Sequence, residues 1–276
     1  MSETFCLVTT PRYDLELTKA RKRGFDHAGW HCENVSPVYM LDYHYERLLK
    51  GAKHLGWDLA VDALETKWRP QALALKLQDF IADSHQKPLR LRILLNSDGE
   101  LSFEKFDAPA MALENLLPTR LPPPFATDTS PGDPRRDPEY TVVVDSEGTA
   151  HSEHTYFKTT HRPMYDAARR RAQLAPADLK EVLMLSEDRD FVTEGSITTP
   201  YFWRCGRWVT PPVLQQYSQH DVRGGQYGTS RRWALERGLA EEEAVPVSSL
   251  SDGEECWLSN GAKGFLFARI RLSEVT

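Results

Sequence analysis

Seven prolines fall between residues 118 and 138, at positions 118, 122, 123, 124, 131, 134 and 138. Each fixes φ and removes a backbone donor, so neither a helix nor a central strand runs through this stretch, which reads as an extended connector. At 276 residues and 40% hydrophobic content, the chain can bury a core on each side of such a break. The boundary is placed at 118–125, between a smaller domain over 1–117 and a larger one over 126–276.

In the first part, Phe5 to Thr9 is short and mostly apolar, and Thr9-Thr10-Pro11-Arg12-Tyr13 turns polar, as where a strand runs into a loop. Residues 14–36 carry mixed charges without a clear period and read as a surface loop or a poorly ordered insertion. Leu41, Tyr45, Leu48, Leu49, Ala52 and Leu55 recur at helical spacing, with Gly56 as a stop and Arg47 beside the stripe. Residues 71–84 give a second helix. Leu89 to Leu95 alternates apolar and basic residues, and Asn96-Ser97-Asp98-Gly99 supplies turn chemistry before Leu101, Phe103 and Phe106. This is a β-hairpin in an α+β domain.

The second part is richer in strands. Tyr140 to Val144, Val182 to Leu185, Ser196 to Trp203, Trp208 to Thr210, Cys256 to Leu258 and Gly264 to Ile270 all read as strands, with Arg204-Cys205-Gly206-Arg207 as a turn. Pro163 opens a helix carrying Met164, Ala167, Ala168 and Leu174, whose Arg169-Arg170-Arg171 reads as a solvated face. Gly224-Gly225-Gln226-Tyr227-Gly228 lacks the G-x-G-x-x-G order of a dinucleotide site and reads as a mobile loop before a helix over Arg231 to Glu236.

A net charge of −6 argues against a broad nucleic-acid surface and towards small-molecule partners. No run approaches the roughly 20 apolar residues of a membrane span, and Met1-Ser2-Glu3-Thr4 has no basic region leading into an apolar one, so a soluble, cytoplasmic protein is expected. Cys6, Cys32, Cys205 and Cys256 are scattered without a C-x-x-C pair, and His151, His154 and His161 have no accompanying cysteines, so no metal site is expected.

The chemistry concentrates at Lys158, which closes an extended segment, and Glu194, at another strand end. An amine and a carboxylate so placed suit a cofactor that needs an imine and a counter-charge, pyridoxal 5'-phosphate. Lys158 would form the imine and carry protons, and Glu194 would keep the pyridine nitrogen protonated. Gly228-Thr229-Ser230 at a helix start offers N–H groups, two hydroxyls and the positive end of a helix dipole for phosphate, with Arg47 adding a charge-assisted bond. Thr229 or Ser230 is also a natural helix cap.

Several runs resemble the class IV aminotransferase family, the fold type IV pyridoxal phosphate enzymes, and within it the aminodeoxychorismate lyase branch. His44-Tyr45-Glu46-Arg47-Leu48 is similar to the family's His-x-x-Arg-Leu, whose arginine binds cofactor phosphate, and Thr193-Glu194-Gly195-Ser196 to its Thr-Glu-Gly-Ser. Lys158-Thr159-Thr160-His161-Arg162-Pro163-Met164-Tyr165-Asp166 is similar to the Lys-Thr-Thr-x-Arg-x-x-Tyr-Asp run of lyase-like members. Gly228-Thr229-Ser230-Arg231 resembles the phosphate segment, and Ser259-Asn260-Gly261-Ala262-Lys263-Gly264 a late turn near the site. Thr199 stands where relatives usually have Asn, and Gly261 where Ser is common.

The resemblance implies a two-domain α/β (α+β) fold with the cofactor in the cleft between domains, a homodimer, and conversion of 4-amino-4-deoxychorismate to 4-aminobenzoate and pyruvate, a step towards folate. Thr199 would join Arg47, Lys158, Glu194, Thr229 and Ser230 as cofactor ligands. Thr10, Arg12, Arg162 and Asn260 are the substrate-side candidates. Two alternatives stay open: a transaminase of branched-chain, D-amino acid or amine substrates, and an inactive binding protein on the same scaffold.

Overall fold

A computed structural model describes residues 5–25, 35–82, 86–128, 130–219 and 224–272. The chain divides into two compact units: Met1–Leu113 with Phe157–His161 and Gly261–Lys263, and Glu114–Tyr156 with Arg162–Asn260 and Gly264–Thr276.

The first unit is built on β1 (Leu7–Thr9), β2 (Arg12–Tyr13), helices α1 (Leu41–His54), α2 (Asp58–Thr66) and α3 (Pro70–Ile81), and strands β3 (Leu89–Leu95) and β4 (Leu101–Asp107). Strand β3 pairs antiparallel with β1, β2 and β4, and its alternation buries Leu89, Leu91, Ile93 and Leu95 while Arg90 and Arg92 point away. The β3–β4 turn is closed by Asn96, whose side-chain oxygen accepts from the Asp98 and Glu100 amides at 3.1 and 2.9 Å, and by Gly99 at φ +83°. Helix α1 buries Leu41, His44, Leu48, Gly51 and Ala52. Gly51 permits the close approach of β1, since a Cβ there would stand 2.7 Å from a Leu7 methyl.

Two expectations change here. Residues 14–25 form two 3-10 helices, Leu15–Lys19 and Arg21–Arg23, and bury Leu17, Ala20 and Phe25, so apolar anchors among the charges tie this segment down; residues 26–34, with Cys32, lie outside the described residues. Helix α2 was not anticipated, because its apolar face is narrow, with only Ala60 and Leu64 buried.

The short α4 (Leu113–Leu116) runs across the point where the first unit gives way to the second. The second unit adds β5 (Tyr140–Gly148), α5 (Glu153–Tyr156), α6 (Pro163–Arg171), β6 (Lys180–Leu185), β7 (Phe191–Gly195), β8 (Thr199–Arg204), β9 (Arg207–Thr210), α7 (Thr229–Glu236), β10 (Glu241–Glu242), β11 (Val245–Pro246), β12 (Glu255–Asn260) and β13 (Gly264–Ile270). Among the described residues, nine strands of this unit form one mixed sheet in the order β10-β9-β8-β12-β13-β5-β6-β7-β11. Val142, Val182, Tyr201, Phe202, Trp257 and Phe265 are buried in it, as near-continuous apolar strands require. The β8–β9 turn uses Cys205 at φ +48° and Gly206 at φ +82°, the left-handed pair that a two-residue hairpin favours.

The expected strand over Ser196 to Trp203 is broken at its start. Glu181, buried on β6, accepts from Ser196 N (3.1 Å), Ser196 Oγ (2.6 Å), Ile197 N (3.3 Å) and Thr198 Oγ1 (2.7 Å), which folds residues 196–198 into a turn between β7 and β8. Helix α6 ends at Arg171, short of Leu174. Its arginines are not simply a solvated face. Arg171 grips Asp145 with two bonds of 2.8 and 2.6 Å, and Arg169 donates to Ser196 Oγ at 3.0 Å.

Candidate active site

In the first unit, residues 157–161 form an extra extended segment beside β1. The Val8 amide donates to the Lys158 carbonyl at 2.8 Å, the Thr160 amide to Cys6 O at 2.9 Å, and the Cys6 amide to Thr160 Oγ1 at 3.0 Å, with Leu7 opposite Thr159. Two adjacent β-branched residues, Thr159 and Thr160, suit this extension. Lys158 itself is half-buried.

One turn of α1 separates His44 from Arg47. His44 is buried, with Nδ1 2.6 Å from Thr9 Oγ1 and with Nε2 lacking a hydrogen-bond partner among the described residues. Burial holds its pKa well below the ordinary histidine value, and the Arg47 and Lys158 cations push in the same direction. His44 is therefore neutral at pH 7, in a neighbourhood it shares with both candidate cofactor cations.

Thr10 follows Thr9 and is half-buried, whereas Arg12 is fully enclosed. Its Nε and Nη2 donate to Asp14 Oδ2 at 2.8 and 2.7 Å, Nη2 also to Pro109 O at 2.8 Å, and Nη1 to Ala262 O at 3.2 Å. The substrate-facing cation expected at this position is instead an interior tie, because an enclosed guanidinium needs carbonyl and carboxylate partners of its own.

In the second unit, Glu194 sits near the end of β7 opposite Met184 and is 9% exposed. Its Oε1 accepts from the Tyr165 hydroxyl at 2.6 Å and its Oε2 from the Gln226 amide at 3.2 Å. A carboxylate offers about four acceptor sites, so these neutral donors orient it without cancelling its charge. The glycine stretch read as a mobile loop is packed here. A Cβ on Gly225 would stand 2.6 Å from Thr193 O and 3.0 Å from Glu194 Cβ, so only glycine lets the loop lie against β7.

Arg162 donates through Nη2 to Ser196 O at 2.8 Å, and its guanidinium lies 4.4 Å from the centre of the Tyr165 ring. Thr199 opens β8 opposite Ser259, and its Oγ1 would be 3.1 Å from a Cβ on Gly228. Gly228 is the N-cap of α7 and no side chain caps the helix, so neither Thr229 nor Ser230 has the capping role weighed above. Both are buried, and Ser230 Oγ accepts from Ser259 Oγ at 2.8 Å, which in turn lies 2.9 Å from the Tyr201 hydroxyl. Asn260 donates to Ile197 O at 3.3 Å.

The second unit thus brings together Glu194, Arg162, Thr199, Thr229, Ser230 and Asn260, and the first unit Lys158, Arg47, Thr10 and His44. Helix amides with no side-chain cap, beside buried hydroxyls, fit a phosphate monoester, and an oriented carboxylate fits a protonated ring nitrogen. Sequence reasoning gave no role to Tyr165, Glu181 or His44. Tyr165 lay inside the quoted lysine run, and His44 one turn before Arg47. Glu181 had no signal beyond being an acid within an apolar strand.

Among the described residues no three His, Cys, Asp or Glu side chains are grouped to hold a metal, and no helix is long and apolar enough to cross a membrane.

The family model described as Amino-transferase class IV matches residues 24–270. An aminodeoxychorismate lyase of Saccharomyces cerevisiae is 31% identical over 145 residues, which span 47% of this chain and 37% of that protein. A Schizosaccharomyces pombe protein, provisionally named an aminodeoxychorismate lyase, is 24% identical over 228 residues, covering 81% of this chain and 80% of its own. Among solved structures, a Mesorhizobium loti protein provisionally named an amino-acid aminotransferase superposes with a TM-score of 0.65 at 19% identity, covering 96% of this chain and 99% of its own. The small sheet of the first unit and the large mixed sheet of the second are the fold type IV architecture.

Proposed function

The chain belongs to the class IV aminotransferase family, and we propose that within it the protein is a pyridoxal phosphate-dependent lyase that turns 4-amino-4-deoxychorismate into 4-aminobenzoate and pyruvate. The observation that carries this reading is the run from Lys158 to Asp166, which joins the lysine to an arginine and a tyrosine, with that tyrosine bonded to Glu194. Relatives that bear this activity in their names support it.

When bound, pyridoxal phosphate supplies an electron sink to which an amine can be joined. The N-terminus of α7, with Thr229, Ser230 and Thr199, would hold its phosphate, and Arg47 would add a cation for it. Glu194 would face the ring nitrogen as its counter-charge. Lys158 would provide the amine that anchors the cofactor, and its Nζ would take the substrate ring proton. The ring–oxygen bond then breaks, and the enolpyruvyl group leaves with its oxygen and takes up a proton to become pyruvate. Formation of the aromatic ring drives the step.

His44 stays neutral beside Lys158 and adds no further positive charge there. A guanidinium has five N–H donors, so Arg162 keeps capacity for a substrate carboxylate beside its bond to Ser196, and Thr10 and Asn260 supply neutral donors. Arg12 is left out of the substrate side because of its interior bonds.

The likeness to an aminotransferase structure keeps one other reading in play, transamination by the same lysine and carboxylate. The test supplies aminodeoxychorismate through a synthase. Equal yields of 4-aminobenzoate and pyruvate are expected, with the cofactor's visible absorbance restored after each turnover. Should an amino acid bleach that absorbance and a keto acid restore it, while aminodeoxychorismate gives no aromatic product, transamination replaces the lyase.

A further inference from the structure

We infer that Tyr165 is a positioning residue for the cofactor ring: its hydroxyl sets the aim of the Glu194 carboxylate, and Arg162, lying over its ring, holds it to that task. This rests on the cofactor reading above and adds to it a residue that neither holds phosphate nor touches substrate.

The phenol is deeply placed. Tyr165 is 1% exposed and packs with Ala168, Val182 and Met184, and Met184 is the residue that faces Glu194 across the β6–β7 ladder. A buried tyrosine hydroxyl needs a partner, and this one points at a carboxylate 2.6 Å away. Burial and the adjacent carboxylate both raise the Tyr165 pKa well above the usual tyrosine value, with Arg162 opposing them, so the phenol stays protonated and can only donate. Its rotamer is also fixed from the ring side, by the Arg162 guanidinium at 4.4 Å, which is in turn tied to the Ser196 carbonyl at the turn following Glu194.

With Gln226 N on the other oxygen and Gly225 against its Cβ, Glu194 is held at both carboxylate oxygens and at its stem. Rotation of the carboxylate would break a charge-assisted bond at one side or the other. A carboxylate constrained in this way meets a ring nitrogen from one direction, which favours one placement of the pyridine ring.

The test uses the full chain dialysed free of cofactor and titrated with 4-deoxypyridoxine 5'-phosphate, which has the ring and phosphate but cannot bond to a lysine. Tyr165→Phe is expected to bind this probe about tenfold more weakly than the parent, the scale of one hydrogen bond to a charged group. In a Glu194→Gln background, adding Tyr165→Phe should change affinity by less than about twofold, because the tyrosine acts through the carboxylate.

Equal binding by parent and Tyr165→Phe, or the same loss with and without Glu194, overturns the inference and leaves the cofactor reading standing. A parent that binds neither this probe nor pyridoxal 5'-phosphate overturns that reading, and the inference with it. If Tyr165→Phe yields no folded protein, 3-fluorotyrosine at position 165 keeps the hydroxyl. Its fluorine resonance should then move on adding the probe in the Glu194 protein, and a resonance that does not move overturns the inference.

Discussion

Lys158 is placed by its main chain, through backbone bonds that add residues 157–161 to β1, whereas Glu194 is placed by its side chain, through Tyr165, Gln226 and the Gly225 contact. The difference matches the role proposed for each group. A lysine that anchors a cofactor and then carries a proton would work from a root fixed by main-chain bonds. A carboxylate that keeps one charge opposite one ring atom would need its oxygens fixed, so preorganisation would fall on the group that does not move.

The sharpest way to break the comparison is Lys158→Ala. Turnover should fall by about 10²- to 10⁴-fold, as expected for loss of a proton carrier. Because the root is held by main-chain bonds that alanine keeps, the variant should still fold and unfold cooperatively, read by denaturant titration. A large loss of stability would show that the side chain, too, is structural.

Glu181→Ala probes the opposite region. Its carboxylate gathers the donors of the 196–198 turn, and each buried donor left without an acceptor costs about 1–3 kcal/mol, so a loss of about 3–5 kcal/mol is expected in the unfolding free energy. Cofactor affinity should fall as well, since that turn leads from Glu194 to Thr199. Unchanged stability would mean that the turn holds without Glu181.

The smallest effect concerns pH. His44 has a depressed pKa when folded, so below about pH 6.5 the unfolded chain takes up a proton that the folded one refuses. The stabilising contribution is complete above that pH and is lost as pH falls, at up to about 1.4 kcal/mol per pH unit. His44→Asn should flatten the acid limb of the stability curve between pH 6.5 and 5. An identical limb in the variant would show that His44 titrates normally.

Much of this was legible in the sequence wherever one element contained its own signal. The β3–β4 hairpin carried alternation and an Asn-to-Gly turn, and α1 carried a stripe and a terminal glycine. The lysine and glutamate runs carried the resemblance to the class IV aminotransferase family, to which the chain belongs. What stayed hidden depended on partners distant in sequence. The three-residue turn at 196–198 exists because of an acid on another strand. Gly225 looked like slack until Thr193 lay against it. Arg12 read as a cation for substrate because, beyond Asp14 two residues on, the carbonyls of Pro109 and Ala262 that enclose it lie far away in sequence.

That enclosure has a consequence for the way the protein is made. Arg12 is translated 250 residues before Ala262, whose carbonyl its Nη1 must reach. At about 5–20 residues per second, the partner arrives roughly 12–50 s after the arginine. Until then the β2 edge also lacks its main-chain bond to Gly261, so the first unit cannot reach its final packing while most of the chain is still unsynthesised. The first unit is thus completed only after residues 261–263 are made, and a chain truncated before residue 261 would leave a charged arginine with a missing partner.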